Sequence, residues 1–343
     1  MRTEFFTGAQ FSSEDKELLA RAATFEQCRE LRDCSQLKLL EISRAHGLDF
    51  ATSLLFDRLL NHPQHSAFYR QVQSSPEVLN GNAPGVAIVP GAFYREHKKT
   101  GADGARLAAI LKSMGCKAEI VPLESFGSLK RNAALIAQWL KEKKDERIVL
   151  ITLSKGSADL KAALAFPDAP ELFRPVQTWI SLSGLSQGTP LAAWLRKQWL
   201  RQLGIRILLR FRGQRYAVVE ELRHGPDAPL AKWPPLPPRL QIIHVAGFPM
   251  RKHLAHPWAP RGYERVAPLG PNDGGGFLLS DAATLPGTVF PVWGADHYLQ
   301  PTWDATSLLR RVFATALSSG EPFLQTAQSA AQPINPPASK SIA

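Results

Sequence analysis

Three cysteines in 343 residues, Cys28, Cys34 and Cys116, are too few and too scattered for a disulfide framework or a zinc site. No apolar run approaches the roughly 20 residues a membrane-spanning helix needs. Met1 to Thr7 holds no apolar stretch of the kind a secretory signal requires, so none is read there. These absences make a reduced, cytoplasmic protein the expectation. No internal repeat is found, and no recognised nucleic-acid motif accompanies the positive charge, so no specific nucleic-acid partner is expected. What is present is ordinary for a globular chain. The hydrophobic content is 44%, and the length suffices for a sizeable core, as one large domain or one domain with an extension.

The chain carries 41 Lys and Arg against 30 Asp and Glu, a net charge of +11. Much of the excess is local. Between Leu185 and Arg223 stand Arg196, Lys197, Arg201, Arg206, Arg210, Arg212, Arg215 and Arg223, against only Glu220 and Glu221. Such a surface suits phosphates, an acidic substrate or a membrane surface, and it equally suits a solvated helix face.

Residues 1–80 read as an N-terminal helical extension. Leu18, Leu19, Ala22, Leu37, Leu40, Phe50, Leu54, Leu55 and Leu59 recur at three- and four-residue steps, and Ser12-Ser13-Glu14-Asp15 is a good helix start. At Gly81-Asn82-Ala83-Pro84-Gly85 the texture changes. Strands are expected over Val86–Pro90, Cys116–Pro122, Arg147–Leu153, Val176–Leu182, Arg239–Phe248 and Thr288–Trp293. Helices are expected over Gly104–Met114, Leu129–Lys143, Gly156–Leu164 and Thr302–Leu317. Apolar strands alternating with helices imply a mostly parallel central sheet covered on both faces, an α/β class. Residues 81–184 and 239–320 form this core.

Residues 185–238 interrupt the alternation. Leu191, Leu195, Trp199, Leu203, Ile207 and Phe211 stand at every fourth position with basic residues between them, an amphipathic helical pattern. It ends in Trp233-Pro234-Pro235-Leu236-Pro237-Pro238, a stiff linker. Residues 329–343, with Pro333, Pro336 and Pro337, are expected to be disordered.

Thr152-Leu153-Ser154-Lys155-Gly156 bears the chemistry. A strand, a sharp turn with a central Ser, then a helix presents a hydroxyl outside the sheet and offers helix N-terminal N–H groups to an oxyanion. The plain reading of the same residues is a helix N-cap. Asp273 follows in Pro271-Asn272-Asp273-Gly274-Gly275, which is also strong turn chemistry. His297 follows in Gly294-Ala295-Asp296-His297, after the last strand. Asp281 and Asp296 are rival acids. His244 sits inside a strand pattern and reads as core, and His253 and His256 as loop residues with too few companions for a metal.

These motifs resemble the α/β-hydrolases, of the lipase and esterase type, over roughly residues 84–318. The resemblance rests on the elbow, where Thr152 stands in place of the usual first Gly, and on the order Ser, Asp, His, each after a strand. It also rests on Val89-Pro90-Gly91-Ala92-Phe93, where Pro90 replaces a common His. It implies a Ser154–His297–Asp273 triad, with backbone N–H groups of Ala92 and Lys155 as the oxyanion hole. It implies that 185–238 is a helical cap or lid whose Leu191, Leu195, Trp199 and Leu203 roof an apolar pocket. It further implies a small-molecule or lipid acyl ester as substrate and neither metal nor organic cofactor. The basic face adds a peripheral contact with anionic membrane to the expectations. A non-catalytic binding protein on the same fold, and an acyltransferase using the same triad, are the alternatives. Lys155 and Asp159, four residues apart, are expected to pair on the helix surface.

Overall fold

A computed structural model of the protein describes residues 11–79, 84–143, 147–211, 216–299 and 304–318. The tail expected to be disordered lies outside the described residues. Six strands form one sheet: β1 (Gly85–Val89), β2 (Lys117–Ile120), β3 (Ile148–Leu153), β4 (Val176–Leu182), β5 (Gln241–Phe248) and β6 (Thr288–Trp293). Their order across the sheet is β2-β1-β3-β4-β5-β6, and every pair is parallel. The α/β class and the strand positions expected from apolar runs are those observed, with ends shifted by one or two residues. The edge strand β2 is the shortest, and its residues are mostly exposed rather than buried.

Side-chain alternation sends each strand's residues to opposite faces. On one face Ile88, Ile151, Ile180 and Ile243 meet α5 (Ala105–Ser113) and α13 (Thr306–Ser318) through Leu107, Leu111, Val312 and Phe313. On the other, Ala87, Val89, Leu150 and Trp179 meet α6 (Leu129–Glu142) and α7 (Lys155–Leu164) through Ala133, Ile136 and Leu160. That second face is left uncovered at β5 and β6, because the chain between β4 and β5 goes into the insertion instead. The N-terminal helices fill the gap. α1 (Ser13–Thr24), α2 (Gln36–His46), α3 (Leu48–Asn61) and α4 (Pro63–Ser74) precede β1, and the first three put Ala22, Leu39, Phe50 and Phe56 against Ala246, Phe248, Val289 and Trp293. Burying a Phe or Leu here contributes about 1.5–3 kcal/mol per side chain.

The insertion is built of α9 (Pro190–Arg196), α10 (Trp199–Phe211) and α11 (Ala217–Glu221), with a short α8 (Ala169–Leu172) lying before β4. The single amphipathic helix expected over 191–211 is two helices. Thr189 caps α9 by accepting the Leu191 N–H, and α9 closes at Lys197. A strict four-residue spacing also drifts by about 40° per step on a 3.6-residue helix. Leu191 and Leu195 therefore face inward, while Leu203, Ile207 and Phe211 are exposed.

Buried Asp15 ties the N-terminal helices to the last strand. Its carboxylate accepts from Trp293 Nε1 at 3.1 Å and from Ser12 N at 2.8 Å, and it lies 3.0 Å from His253 Nε2. Burial opposes the charge, but the Ser12 donors and His253 outweigh it and hold the carboxyl below its ordinary 3.8. Its stabilisation is therefore complete above that pH and is lost as pH falls through the lower folded value. Asp15→Ala is expected to cost about 1.5–3 kcal/mol near neutral pH, read as a fall in the urea midpoint. An unchanged midpoint would mean the extension is not latched here.

Candidate active site

The chain crosses from β1 to β2 on one side and returns to β3 on the other, so the strand order reverses between β1 and β3. At such a switch point the loops diverge and leave a crevice beyond the carboxyl ends of the strands. Ser154 follows β3 and Ala92 follows β1, so both stand at this crevice.

Ser154 has φ 46° and ψ −115°, a region that a non-glycine residue occupies only under constraint. Its backbone is held from both sides: its N–H donates to Leu182 O at 3.1 Å, and its carbonyl accepts from Leu185 N at 3.0 Å. Thr152 is held by hydrogen bonds. Its fully buried hydroxyl accepts from Trp179 Nε1 at 2.8 Å and meets Ser157 Oγ at 2.6 Å, and Ser157 meets Ser181 at 2.9 Å.

The Ser154 hydroxyl lies 2.9 Å from His297 Nε2, and His297 Nδ1 lies 2.5 Å from Asp273 Oδ2. An ionised carboxylate only accepts, so the Nδ1 proton points at Asp273 and Nε2 is left to accept from the serine. Asp273 is fully buried, and its other oxygen accepts from Gly275 N at 2.9 Å and Phe277 N at 3.0 Å. The His297 N–H donates back to Asp273 O at 2.8 Å. Burial disfavours the imidazolium, yet the Asp273 carboxylate more than offsets this and raises His297 above its ordinary 6.5. Gly275 is required by close approach: a Cβ there would stand 2.0 Å from His297 Cγ.

The rival acids have other partners. Asp281 faces His224 Nε2 at 3.0 and 3.1 Å, and buried Asp296 accepts from Ala255 N, His256 N and Tyr298 N, so it shapes the loop that carries His297. His244 is buried against Pro286 O, and burial lowers it to about 4. His256 stacks on Tyr298 at 3.7 Å. Among the described residues, no three His, Cys, Asp or Glu side chains gather as a metal site would require.

The Lys155–Asp159 pair is internal, not on the helix surface as expected. α6 packs over α7, so Lys155 and Asp159 are both about 1% exposed, 2.6 Å apart, with Asn132 Nδ2 donating to the second carboxylate oxygen at 3.0 Å. On the same helix, buried Lys161 donates to Ser186 O at 2.9 Å and Leu230 O at 2.6 Å, while its amine sits 4.1 Å above the Trp233 ring. Burial lowers this amine to about 8. Lys161 thus ties both ends of the insertion to the helix that follows Ser154.

A cavity of about 540 Å³ opens at Ser154 and His297. Ala92, Lys155, Leu191 and Leu195 line it, whereas exposed Leu203 does not, and the side chain of Trp199 lies outside the described residues. Its walls also include residues the sequence reading missed. Phe93, in a left-handed conformation at φ 55°, stacks on Phe126 at 4.2 Å. Trp258, Arg261 and Arg265, from the segment leading into and through α12 (Ala259–Val266), stand at the cavity too. Their signal was positional: a Trp and two Arg four apart, in the stretch between β5 and the Asp273 loop.

No protein-family model matches the sequence, and neither does any curated protein sequence. Solved structures do match. A carboxyl esterase from a metagenome aligns at 20% identity over 70% of this chain and 77% of its own, with a TM-score of 0.50. The mature form of a lipase from Bacillus licheniformis aligns at 21% identity over 64% of this chain and 87% of its own, with a TM-score of 0.49.

Two measurements follow from this geometry. A serine can lose its proton only to a neutral imidazole, so the acid limb of kcat/KM is expected to fall above pH 6.5, on the side to which Asp273 moves His297. Asp273→Asn is expected to reduce kcat by about 10⁴-fold, and Asp281→Asn far less. The opposite ranking would transfer the acid role to Asp281.

Proposed function

On the α/β-hydrolase fold that the chain shares with these structures, we propose that the protein is a serine hydrolase of carboxylic esters. The observation that carries this reading is the continuous Ser154–His297–Asp273 hydrogen-bond chain at the floor of a largely apolar cavity. In this reading Ser154 attacks the ester carbonyl while His297 Nε2 takes its proton. The negative oxygen forms within reach of the N–H groups of Ala92 and Lys155. Lys155 is the first residue of α7, where an N–H has no partner within the helix. Each such donor contributes about 3–4 kcal/mol to the transition state. The imidazolium returns its proton to the leaving alkoxide, with Asp273 stabilising the charged ring. A water then repeats the sequence on the acyl-enzyme and releases the acid.

The insertion acts in this reading as a cap whose Leu191 and Leu195 shape the acyl site, so the substrate carries a hydrophobic acyl group. Peripheral contact with an anionic membrane belongs to the same reading. It is supported by Leu203, Ile207 and Phe211, 52%, 47% and 87% exposed on α10, with Arg206 and Arg210 beside them. Among the described residues no helix is long and apolar enough to cross a membrane.

A fluorophosphonate probe is expected to label Ser154, and Ser154→Ala and His297→Ala to abolish labelling, with ester turnover reduced by about 10⁴–10⁶-fold. Folded wild-type protein that resists the probe with and without detergent would support a non-catalytic fold. Labelling accompanied by transfer to an added alcohol in preference to water would favour an acyltransferase. For the membrane contact, co-sedimentation with vesicles rich in phosphatidylglycerol should exceed that with phosphatidylcholine alone and should weaken in Phe211→Asp. Equal pelleting of the variant would remove α10 from the contact.

A further inference from the structure

The two N–H groups read as the oxyanion hole come from different parts of the chain. Lys155 opens α7, whereas Ala92 lies in the loop after β1. Where β1 ends, α7 touches it directly: a Cβ on Gly156 would stand 2.7 Å from both Val89 O and Pro90 O. Beyond that point Ala92 is flanked by two tethered peptides. The Gly91 N–H donates to Ala102 O at 2.9 Å, and the Phe93 N–H donates to Ser125 O at 2.8 Å. Phe93 is left-handed at φ 55° and stacks on Phe126, so its backbone and its ring both lean on residues 125–126.

That turn is set by Asn132 of α6, which is buried. Its Oδ1 accepts from Glu124 N at 3.2 Å, and its Nδ2 donates to Glu124 O at 3.1 Å and to Asp159 Oδ2 at 3.0 Å. The other Asp159 oxygen accepts from Lys155 Nζ at 2.6 Å. A Cβ on Gly127 would stand 2.7 Å from Asn132 Oδ1, so the turn closes tightly over the amide. A hydrogen-bonded path therefore runs from Lys155 through Asp159 and Asn132 to Glu124, and by the next residue, Ser125, to Phe93. One end is the residue that supplies one donor, and the other end is the neighbour of the residue that supplies the second. The centre of the path needs an amide, because it accepts from a backbone N–H and donates to a carbonyl and a carboxylate at once. An Asp of the same size could only accept, and a Leu could do neither.

Resting on the ester-hydrolase reading, we propose that Asn132 is a positioning residue of the oxyanion hole, setting the Ala92 N–H relative to the Lys155 N–H. Asn132 is not part of the cavity lining, so it acts through the helix and the turn that it joins. A donor helps the transition state only when it is aimed at the place where the oxygen becomes charged. Misplacing such a group by about 1 Å costs on the order of 10²-fold in rate. The planar, uncharged carbonyl of the bound substrate draws little on this geometry, so the loss belongs to kcat rather than to KM.

The test measures the full chain and its variant N132A on 4-nitrophenyl octanoate, with two inhibitors. Trifluorodecan-2-one, with all three fluorines on its first carbon, accepts the Ser154 oxygen at its carbonyl carbon. The C=O π bond opens to an alkoxide in the hole, and the serine proton passes to His297. The corresponding trifluorodecan-2-ol fills the same cavity but has no carbonyl and forms no alkoxide. In N132A kcat is expected to fall by about 10²-fold with KM little changed. The inhibition constant of the ketone should rise by a similar factor, and that of the alcohol should stay as in the wild type. D159N keeps the native size and cuts the path at its next joint. It should show the same selective loss, and it decides the matter where N132A yields too little folded protein. The double variant should lose little more than either single one, since both interrupt one path. L140A, a core truncation two turns further along α6, controls for lost stability and should leave both constants unchanged. Inhibition reports on the active fraction alone, so unfolded protein does not enter the comparison. Unchanged kcat in N132A and D159N, an equal loss of affinity for the alcohol, or the same ketone-selective loss in L140A would overturn the proposal and leave ester hydrolysis standing. A wild-type protein that neither cleaves the ester nor is labelled by fluorophosphonate at Ser154 would overturn both.

Discussion

The backbone of Ser154 is the constraint around which the rest is arranged. Its φ of 46° is unfavourable for any residue with a Cβ, by about 1–3 kcal/mol. Such a conformation persists only where its surroundings over-determine it. β4 accepts the Ser154 N–H through Leu182 O, and the chain leaving β4 donates Leu185 N to the Ser154 carbonyl. Beneath the turn, the Trp179–Thr152–Ser157–Ser181 chain of hydrogen bonds links β3, α7 and β4 without reaching solvent. On the far side of α7, Lys155 and Asp159 form a buried ion pair satisfied by Asn132 of α6. Such a pair adds little net stability, but breaking it by removing one partner is costly, so it fixes where α7 begins. The departure from Gly at position 152 is coherent with this scheme: the Thr hydroxyl supplies the acceptor that buried Trp179 requires.

Once the serine is fixed, its partners must arrive from distant parts of the chain. Parallel topology makes this possible, because every strand delivers its carboxyl end to the same edge. The Asp273 loop follows β5 and the His297 loop follows β6, so the position of both depends on those two strands. Their second face is covered by the N-terminal helices, and Asp15 reaches Trp293, the last residue of β6, four positions before His297. The extension is in this sense structural support for the histidine loop. The insertion is anchored with similar economy. Lys161 satisfies two carbonyls, one at each end of the insertion, from the helix that Ser154 begins. His224, raised by Asp281 despite the opposing effect of burial, ties the returning segment to the core. Burial lowers the Lys161 amine to about 8, so protonating it costs the folded state, and the stability it contributes declines as pH falls towards that value.

Much of this was legible in the sequence, and the reasons are specific. Strands buried on both faces must be apolar throughout, so β3, β4 and β6 announced themselves without ambiguity. A Ser after one strand, and an Asp and a His after two later ones, are local features whose order survives folding. What could not be read was whatever depended on which face a helix presents. The four-residue stripe over 191–211 is continuous in the sequence, but its direction drifts with each turn, and the end of α9 at Lys197 resets it before α10 begins. Lys155 and Asp159 have ideal surface-pair spacing, and only the packing of α6 over α7 makes them internal. Asp281 and Asp273 were separable only by their partners, His224 for the one and His297 for the other.

The net charge of +11 acquires a location from these contacts. In the interior around the site, charge is matched nearly one to one: Lys155 with Asp159, His297 with Asp273, His224 with Asp281. Buried Lys161 and Asp296 have backbone partners instead, carbonyls for the one and N–H groups for the other, and because a buried charge is costly without such partners the core holds little of the excess. The excess lies largely at the surface, and a share of it is carried by exposed residues of α10 and α12, among them Arg206, Arg210, Arg261 and Arg265. Exposed charges seldom stabilise a fold measurably. Their field does extend over about a Debye length, roughly 10 Å at 0.1 M salt, and a concave, low-dielectric cleft concentrates it.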